Sequence, residues 1–527
     1  MKKILITDNV DKKAVALLKD AGFEVNYSPG MKPEDIYKII GDYHGMIVRS
    51  DTKVNAEMIS YMNNMEVIGR AGTGVDNIDS AAATRKGVIV MNTPGGNTIS
   101  TAEHAFSLMM SLCRNIPQAD ASVKSGKWDR KSYKGTEVHG KTLGVLGLGK
   151  IGREVALRAQ AFGMKIIGYD PLLSQELAAK MNVELTTLED IYKRSDIITV
   201  HVPLDATTKD LLRKETFAKC KDGVKVINCA RGGIINEDDL LEALDSGKVS
   251  GAAMDVFVNE PPDFSHQLLK HPRFVSTPHL GASTDEAQEK VAIQIAQQIT
   301  DLFKKKIVFG AVNAAAVEAA GKPELAPFVK LAESMGALQS QLLTSQVKLL
   351  RVNLFGDLLN NSVSLITAAV LKGFLNSRIP EPVNYINAGF FAKEMGLQIE
   401  EVKSSDHPDY INLISVECNA SEDKRKLDGV VFGNNEIRIV NIDEFHLELN
   451  PEGDMLFYTN LDRPGMLAKV GAVLAENNIN IAGLSLGRFG IGKEALTVIN
   501  LDSGMTKDVL AKISSMDGVF KVFSVKI

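Results

Sequence analysis

The chain has 527 residues, more than a single hydrophobic core accommodates, so its length predicts several domains. Hydrophobic residues make up 45% of the chain and charged residues 24%, and 60 Lys and Arg against 65 Asp and Glu give a net charge of −5. This composition is typical of a globular protein and lacks the basic excess of a nucleic-acid-binding protein, and the four cysteines are too dispersed for a disulfide framework or a metal site.

The N-terminal segment K-K-I-L-I-T predicts a first β-strand. Asp8 interrupts this apolar run and no small-residue cleavage site follows it, so the segment does not match a signal peptide. The longest apolar stretch, S-L-I-T-A-A-V-L-K-G-F-L, contains Lys372 and is shorter than the ~18 residues that span a bilayer. We therefore expect a soluble cytoplasmic protein with reduced thiols and no membrane partner.

Short β-branched runs alternate with helical patterns from residue 1 to about residue 310. The runs are K-K-I-L-I-T, G-M-I-V-R-S, E-V-I-G-R-A, G-V-I-V-M-N, T-L-G-V-L-G, K-I-I-G-Y-D, I-I-T-V-H-V, K-V-I-N-C-A and A-A-M-D-V-F. Such alternation predicts βαβ units and parallel sheets with buried strands, and ~300 residues accommodate two sheets. We predict an α/β fold with two parallel-sheet domains that are Rossmann-like or flavodoxin-like.

A glycine-rich turn within this region predicts a dinucleotide site. The motif G-x-G-x-x-G occupies Gly147, Gly149 and Gly152, after a predicted strand at 142–146 and at the start of a predicted helix at 150–162. The glycines permit a tight turn and a close approach of the backbone, so that a pyrophosphate can lie at the helix N-terminus. Without this context the motif would indicate only a structural glycine turn.

The residue after the next strand favours NAD over NADP. Asp170 ends K-I-I-G-Y-D about 20 residues after the glycine motif, where an acidic residue binds the ribose hydroxyls. Pro171, Leu172 and Leu173 follow, and none of them provides a positive charge for a 2′-phosphate.

Three charged or titratable residues follow later predicted strands. They are Arg231 after K-V-I-N-C-A, Glu260 after A-A-M-D-V-F-V-N and His279 after F-V-S-T-P. Strand ends line the ligand crevice of an open α/β sheet. Oxidation of a 2-hydroxy acid needs a cation for the carboxylate, which suits Arg, and a base of near-neutral pKa, which suits His. A carboxylate beside the imidazole raises its pKa and selects its tautomer, which suits Glu260.

Each of these residues also has a structural interpretation. Arg231 would be a surface charge, Glu260 a turn residue before two prolines, and His279 a residue at a helix entry. The stretch T-P-H-L-G-A-S-T (277–284) does lead into S-T-D-E (283–286), which resembles a capping box. The order of the three residues behind the dinucleotide motif favours the catalytic interpretation.

The alternation of strand and helix patterns ends after Gly310. A-V-N-A-A-A-V-E-A-A-G-K-P-E-L-A-P indicates a helix or linker, and residues 325–450 mix helices with strands such as E-I-R-I-V-N-I without a catalytic motif. From Asp454 onward the pattern is β-α-β-β-α-β, which predicts a ferredoxin-like unit.

These motifs together resemble the D-isomer-specific 2-hydroxyacid dehydrogenases, in which a dinucleotide motif precedes Arg, Glu and His in that order. Four stretches are similar to the branch that acts on 3-phospho-D-glycerate, namely G-R-A-G-T-G-V-D-N-I-D (69–79), N-T-P-G-G-N-T-I-S-T-A-E (92–103), G-K-W-D-R (126–130) and N-C-A-R-G-G (228–233). The C-terminal unit is similar to ACT regulatory domains. The resemblance covers the whole chain and is most specific over residues 1–310.

The resemblance implies four domains. They are a substrate-binding domain (1–97 with 284–310), an NAD-binding Rossmann domain (98–283), an α+β intervening domain similar to allosteric substrate-binding domains (311–452), and an ACT domain (453–527). It also implies a homo-oligomer, dimeric or tetrameric, in which the segment around Trp128 reaches a neighbouring subunit. A local core position for Trp128 is the alternative.

The implied activity is NAD-dependent oxidation of 3-phospho-D-glycerate to 3-phosphooxypyruvate, the first step of L-serine synthesis. His279 would be the base, Glu260 would tune it, and Arg231 would bind the substrate carboxylate. One alternative is the same chemistry on another D-2-hydroxy acid, such as glycerate or hydroxypyruvate/glyoxylate. Another is a non-catalytic NAD-sensing corepressor.

The resemblance also implies the binding residues. The NAD contacts would be Thr73, Gly147, Gly149, Lys150, Ile151, Gly152, Asp170, Val202, Pro203, Cys229, Asp255 and Gly281. The substrate contacts would be Arg49, Ser50, Gly74 and Asn97. An L-serine effector would bind Asp462 and Asn480 between two paired ACT units, unless that domain only holds subunits together.

Overall fold

The computed structural model describes residues 1–320, 322–343, 345–421, 423–433 and 435–527. The described residues form four sheets that follow one another along the chain, and each sheet organises one unit. Within these ranges, no helix combines the length and the apolarity that crossing a bilayer requires.

The first unit is a five-stranded parallel sheet with the strand order β2-β1-β3-β4-β5, which is the flavodoxin-like order. The predicted strands of this region are confirmed. Its elements are β1 (Lys3–Ile6), α1 (Lys12–Asp20), β2 (Glu24–Tyr27), α2 (Pro33–Ile39), β3 (Gly45–Val48), α3 (Ala56–Ser60), β4 (Val67–Arg70), α4 (Ser80–Lys86) and β5 (Ile89–Met91).

The second unit is a seven-stranded parallel sheet with the order β12-β11-β10-β9-β6-β7-β8, in which the order of strand addition reverses between β6 and β9 as in a Rossmann fold. Its elements are α5 (Thr98–Arg114), α6 (Ile116–Lys124), β6 (Thr142–Leu146), α7 (Lys150–Ala161), β7 (Lys165–Tyr169), α8 (Gln175–Lys180), β8 (Glu184–Leu185), α9 (Leu188–Arg194), β9 (Ile197–Val200), α10 (Lys214–Lys219), β10 (Val224–Asn228), α11 (Glu237–Asp245), β11 (Val249–Met254), α12 (Gln267–Lys270) and β12 (Phe274–Ser276).

The chain then returns to the first unit through α13 (Asp285–Lys305), whose Ile295 and Ile299 join the core beside β1 and β3. This helix is capped by Thr284, whose hydroxyl accepts a hydrogen bond from the backbone N–H of Ala287 at 3.2 Å. The capping box predicted from Ser283 is therefore wrong, because the cap lies one residue later and Glu286 is not at the reciprocal position.

The third unit is a mixed six-stranded sheet with the order β14-β13-β15-β16-β17-β18 and helices packed against it. Two of its helices touch where a side chain on Gly336 would collide with the carbonyl oxygen of Val370. Its elements are α14 (Ala315–Ala320), α15 (Ala326–Leu342), β13 (Val347–Phe355), α16 (Asp357–Asn360), α17 (Val363–Leu375), α18 (Ala388–Glu394), β14 (Gln398–Ser404), β15 (Leu413–Ala420), β16 (Lys424–Phe432), β17 (Glu436–Ile442) and β18 (Phe445–Leu449).

The fourth unit has the predicted β-α-β-β-α-β order, and its antiparallel sheet is arranged β20-β21-β19-β22. The ferredoxin-like prediction is therefore confirmed. Phe457 and Val498 on this sheet belong to the same apolar cluster as Met335 of α15, so the third and fourth units share a core. The elements are β19 (Asp454–Leu461), α19 (Met466–Glu476), β20 (Ile481–Arg488), β21 (Glu494–Leu501), α20 (Lys507–Ser514) and β22 (Val519–Lys526).

Candidate active site

A cleft of about 400 Å³ lies between the first and second units, where the carboxyl ends of β4, β9, β10 and β11 converge. This is the position at which parallel α/β sheets bind ligands. The predicted site residues that line it are Thr73, Gly74, Asn97, Ile151, Val202, Pro203, Cys229, Arg231, Asp255, His279 and Gly281. Folding therefore brings most of the predicted residues together from two units.

His279 and Glu260 form a hydrogen-bonded pair at the edge of this cleft. Nδ1 of His279 lies 2.7 Å from Oε2 of Glu260, and Oε1 of Glu260 accepts the backbone N–H of Phe257 at 3.1 Å. The hydrogen bond with Glu260 raises the pKa of His279, and this effect outweighs partial burial. Burial favours the neutral form of Glu260, but the hydrogen bond and charge of His279 outweigh burial and lower the pKa of Glu260.

The segment that carries His279 is held by a buried carboxylate. Asp255 is 1% exposed and accepts the backbone N–H groups of Leu280 at 2.7 Å and Gly281 at 2.8 Å. Burial opposes ionisation of Asp255, but hydrogen bonds that include those from His104 and Thr277 lower its pKa on balance. Asp255 borders the cleft as predicted, yet its oxygens already hold the turn that presents His279.

Arg231 forms an ion pair across the cleft. It follows β10 in the second unit, and its Nε lies 3.0 Å from Oδ2 of Asp76, which belongs to the first unit. Its Nη1 donates to the carbonyl of Ala230 at 2.7 Å. Asp76 was not among the predicted site residues, although it lies within the motif G-R-A-G-T-G-V-D-N-I-D.

A second arginine lines the same cleft and was also missed. Arg70 ends β4, and its Nε lies 3.4 Å from Oδ1 of Asn77. Burial and then the charge of Arg231 lower the pKa of Arg70 to about 10. Two guanidinium groups in one partly desolvated cleft favour an anionic ligand. Its place at a strand end is the signal that would have identified Arg70 from the sequence.

His201 is a further cleft residue that the motifs do not identify. It follows β9, and its Nε2 lies 2.9 Å from the hydroxyl of Thr199. Burial lowers the pKa of His201 to about 4, so the imidazole is neutral at physiological pH.

Arg49 and Ser50 follow β3 at the same edge of the first sheet but are not among the residues that border the cleft. The backbone N–H of Arg49 donates to Asp8 at 2.6 Å, and its Nη1 donates to the carbonyl of Asn9 at 3.0 Å. The side chain of Asn77 donates to the carbonyl of Arg49 at 2.7 Å, which ties this segment to the loop that carries Asp76.

The glycine motif has the geometry that a dinucleotide requires. A side chain on Gly147 would lie 2.5 Å from the carbonyl oxygen of His201, and one on Gly152 would collide with the carbonyl of Gly147. At Gly149, no atom of the described residues lies within 4 Å of the place where a Cβ would stand. The first and third glycines therefore permit close packing, and the second leaves room for a pyrophosphate at the start of α7.

Asp170 stands beside this motif as predicted. Its Oδ2 accepts the backbone N–H of Leu148 at 2.9 Å, and its Oδ1 accepts that of Leu172 at 2.9 Å. The carboxylate is thus oriented at the end of β7, next to the glycine turn. Lys150 reaches the opposite wall, where its Nζ lies 3.3 Å from the carbonyl of Pro94 in the first unit.

Asp462 and Asn480 are not brought together within one chain. Asp462 follows β19, and its backbone N–H donates to the carbonyl of Lys493 just before β21. The backbone carbonyl of Asn480 instead accepts the N–H of Asp502, just after β21. The eight residues of β21 separate these ends by ~25 Å. A site that uses both residues therefore requires a second copy of the unit.

Three family models match the chain. They are "D-isomer specific 2-hydroxyacid dehydrogenase, NAD binding domain" over residues 106–281, "D-3-phosphoglycerate dehydrogenase intervening domain" over 324–443, and "ACT domain" over 455–518. Among solved structures, a glyoxylate reductase from Paecilomyes thermophila is 30% identical with a TM-score of 0.55, covering 59% of this chain and 98% of that chain. A D-lactate dehydrogenase from Escherichia coli is 26% identical with a TM-score of 0.53, covering 59% and 99% respectively.

Curated relatives match over a greater length. The D-3-phosphoglycerate dehydrogenase of Archaeoglobus fulgidus is 41% identical over 519 residues, which is 98% of each chain, and that of Synechocystis is 40% identical over 529 residues, which is 100% of this chain and 95% of that one. The enzyme of Rattus norvegicus is 48% identical over 409 residues, 77% of this chain and 76% of that one. Since such identity extends from the first unit through the fourth, this chain belongs to the D-3-phosphoglycerate dehydrogenase family.

Proposed function

We propose that the chain oxidises 3-phospho-D-glycerate to 3-phosphooxypyruvate with NAD, the first step of L-serine synthesis. One observation carries the proposal, namely a cleft in which two arginines and a His–Glu pair meet beside a dinucleotide turn. When bound there, NAD supplies the hydride acceptor. The third and fourth units match family models for the intervening and ACT domains, which favours the phosphorylated substrate over glycerate or glyoxylate.

Arg231 would bind the carboxylate of the substrate. A guanidinium group binds a carboxylate with two parallel hydrogen bonds, and Asp76 occupies part of the Arg231 guanidinium through its 3.0 Å contact with Nε. A substrate carboxylate would therefore compete with Asp76 or bind the remaining N–H groups. Gly74 and Asn97, which border the same cleft, complete this end of the proposed site.

Arg70 would attract the second anionic group, the phosphate. It is a cation within the cleft, and its guanidinium is partly desolvated, which strengthens its attraction for a dianion. Arg49 and Ser50 follow the neighbouring strand at the same sheet edge and would bind the phosphate from outside the present cleft lining. Asn77 donates to the carbonyls of Arg49 and Thr52, which attaches this segment to the loop that carries Asp76.

His279 would remove the proton from the substrate hydroxyl. Because Nδ1 is engaged by Glu260, Nε2 is the ring atom that remains for this proton. The ionised Glu260 stabilises the imidazolium that forms and fixes the tautomer beforehand. Asp255 holds the backbone of the base itself and of the two residues after it, so the ring is positioned before substrate binds.

The cofactor would lie along the glycine turn. The N–H groups at the start of α7 would receive the pyrophosphate, and Asp170 would bind the ribose hydroxyls. The same carboxylate repels the 2′-phosphate of NADP. The remaining proposed contacts are Thr73, Lys150, Ile151, Val202, Pro203, Cys229, Asp255 and Gly281.

We also propose the domain boundaries given above with one change. Ala311 forms a β-bridge with Met91, and the side chain of Asn313 accepts the N–H of Val90 at 2.8 Å. These contacts attach residues 311–314 to the first unit. We therefore propose a substrate-binding domain of residues 1–97 with 284–314, ahead of the intervening domain.

A homo-oligomer in the cytoplasm completes the proposal. Trp128 is 81% exposed, and burying so large an aromatic surface against a second subunit would be favourable. All four cysteines are free and buried, as in a reducing compartment. Dimers and tetramers both satisfy these observations.

The first prediction concerns the substrate. We expect NADH formation to be faster with 3-phospho-D-glycerate than with D-lactate or D-glycerate, and NADP to be a poorer oxidant than NAD. In the reverse direction, we expect NADH consumption to be faster with 3-phosphooxypyruvate than with glyoxylate. Absorbance at the NADH band measures each kcat/KM. A preference for D-lactate or D-glycerate would show that the two arginines do not select a phosphorylated acid.

The second prediction concerns pH. Glu260→Gln removes the carboxylate that raises the pKa of His279, so the imidazole stays neutral, and able to accept a proton, at lower pH. The acid limb of the kcat/KM profile should therefore shift to lower pH. Glu176→Gln, at an exposed position on α8, serves as the control. An acid limb that does not move would contradict a contact between Glu260 and the group that titrates there.

The third prediction concerns feedback. We propose that L-serine binds between two fourth units, with Asp462 of one subunit pairing with its amino group, and that it favours the low-activity state by ~1–3 kcal/mol. Asp462→Ala should abolish inhibition by serine without lowering the uninhibited kcat, whereas the exposed Asp508→Ala should stay sensitive. Serine titrations with calorimetry test this, and a wild-type enzyme that neither binds nor responds to millimolar serine would contradict it.

A further inference from the structure

The third unit contacts the first unit at the C-terminal end of α4. Nδ2 of Asn384 donates to the carbonyl oxygen of Gly87 at 2.9 Å, and Nδ2 of Asn387 lies 3.4 Å from the carbonyl oxygen of Arg85. Carbonyls at the end of a helix have no partner within that helix. Two amide groups from the third unit therefore cap a helix of the first.

Asn313, in the segment that joins the two units, holds the same end of α4. Its Nδ2 donates to the hydroxyl of Thr84 at 2.9 Å and to the carbonyl of Val88 at 2.9 Å. Gly87 has a φ of +76°, and a side chain there would collide with the amide of Asn384. The contact is thus close, and it falls on the residue whose left-handed conformation ends the helix.

The other end of α4 leads directly into the active-site cleft. Asp79 caps the helix by accepting the N–H of Ala82 at 2.9 Å. Residues 71–79, immediately before it, contribute Thr73, Gly74 and Asp76 to the cleft. The seven residues of α4 span ~10 Å as one rigid element, so a shift at its C-terminal end displaces the loop at its N-terminal end.

Apolar and ionic contacts reinforce this junction: Ile386 packs against the core of the first unit, and the guanidinium of Arg85 lies 5.8 Å from the centre of the Phe390 ring. A cavity of about 890 Å³ lies beside it, between α3 and α4 on one side and residues 381–391 on the other. An ion pair of 3.6 Å between Arg85 and Glu394 borders the same space. The junction is thus a mixed contact, in which the asparagine amides supply the hydrogen bonds that reach the end of α4.

We propose that Asn384 and Asn387 are positioning residues for the dehydrogenase reaction. They belong to the third unit, and they hold α4 and, through it, the loop 71–79 that faces the substrate. The intervening domain would thus help to position the loop that binds the substrate. This proposal rests on the proposed placement of the substrate in this cleft.

Asn384→Asp tests the proposal with little disturbance of the third unit. Oδ1 of Asn384 accepts the N–H groups of Ile386 at 2.9 Å and Asn387 at 3.1 Å, and an aspartate retains both bonds. The substitution replaces only the amide donor, and it sets a carboxylate oxygen against the carbonyl of Gly87. Asn376→Asp, at an exposed residue just after α17, makes the same charge change as a control.

We expect Asn384→Asp to raise KM for 3-phosphoglycerate roughly 3- to 10-fold, which lies within the roughly 2- to 30-fold range for substitutions along a coupling path. The kcat, the Kd of NAD and the thermal midpoint should stay close to those of Asn376→Asp. Hydrogen exchange of the ligand-free protein, measured by mass spectrometry, should become faster over residues 71–87.

An unchanged KM with faster exchange would show that the junction does not reach the substrate, and unchanged exchange would show that the amides do not hold α4. Equal losses in kcat, NAD affinity and thermal midpoint would indicate general destabilisation and also overturn the proposal. Failure of wild-type enzyme to oxidise 3-phosphoglycerate would instead refute the substrate assignment, which the exchange measurement does not require.

Discussion

The buried carboxylate of Asp255 is the constraint on which the geometry of the active site depends. His279 adopts a φ of +54°, a left-handed conformation that costs a residue other than glycine ~1–3 kcal/mol. The backbone N–H of His279 bonds the carbonyl of Asp255 at 2.9 Å, and the carboxylate of Asp255 holds Leu280 and Gly281. These bonds offset the cost and present the imidazole to the cleft at a fixed angle.

Electrostatics then determine what the cleft accepts. Arg70 and Arg231 repel one another, and Asp76 lies between the two units as a counter-ion to Arg231. In the proposed function, an anionic substrate would relieve the repulsion and compete with Asp76 for the guanidinium of Arg231. The ion pair between Glu260 and His279 lies at the edge of the same cleft, so in the proposed reaction binding and proton transfer would use separate charged groups.

The sequence predicts the two parallel sheets well because their strands are buried on both faces and appear as short apolar runs. It also predicts that Arg231, Glu260 and His279 lie near one another, since parallel strands place their carboxyl ends at one edge of the sheet. The ferredoxin-like order of the fourth unit follows in the same way from its alternating pattern.

Other features depend on tertiary contacts that no local pattern contains. Arg70 and Asp76 come to line the cleft only when two units close around it, although both lie in the motif G-R-A-G-T-G-V-D-N-I-D. The caps that Asn384 and Asn387 place on α4 join residues about 300 positions apart. Asp462 and Asn480 share a unit but lie at opposite ends of a strand, so their proposed site depends on a second subunit.

The most direct test of this account is hydride transfer measured by rapid mixing in the His279→Ala variant, with NADH absorbance as the signal. Loss of a general base typically lowers a rate by ~10²–10⁴. We expect a fall of that size, with the affinity for NAD within a few-fold of wild type because Asp170 and the glycine turn are untouched. Hydride transfer at a near-normal rate would contradict the role of His279 as the base.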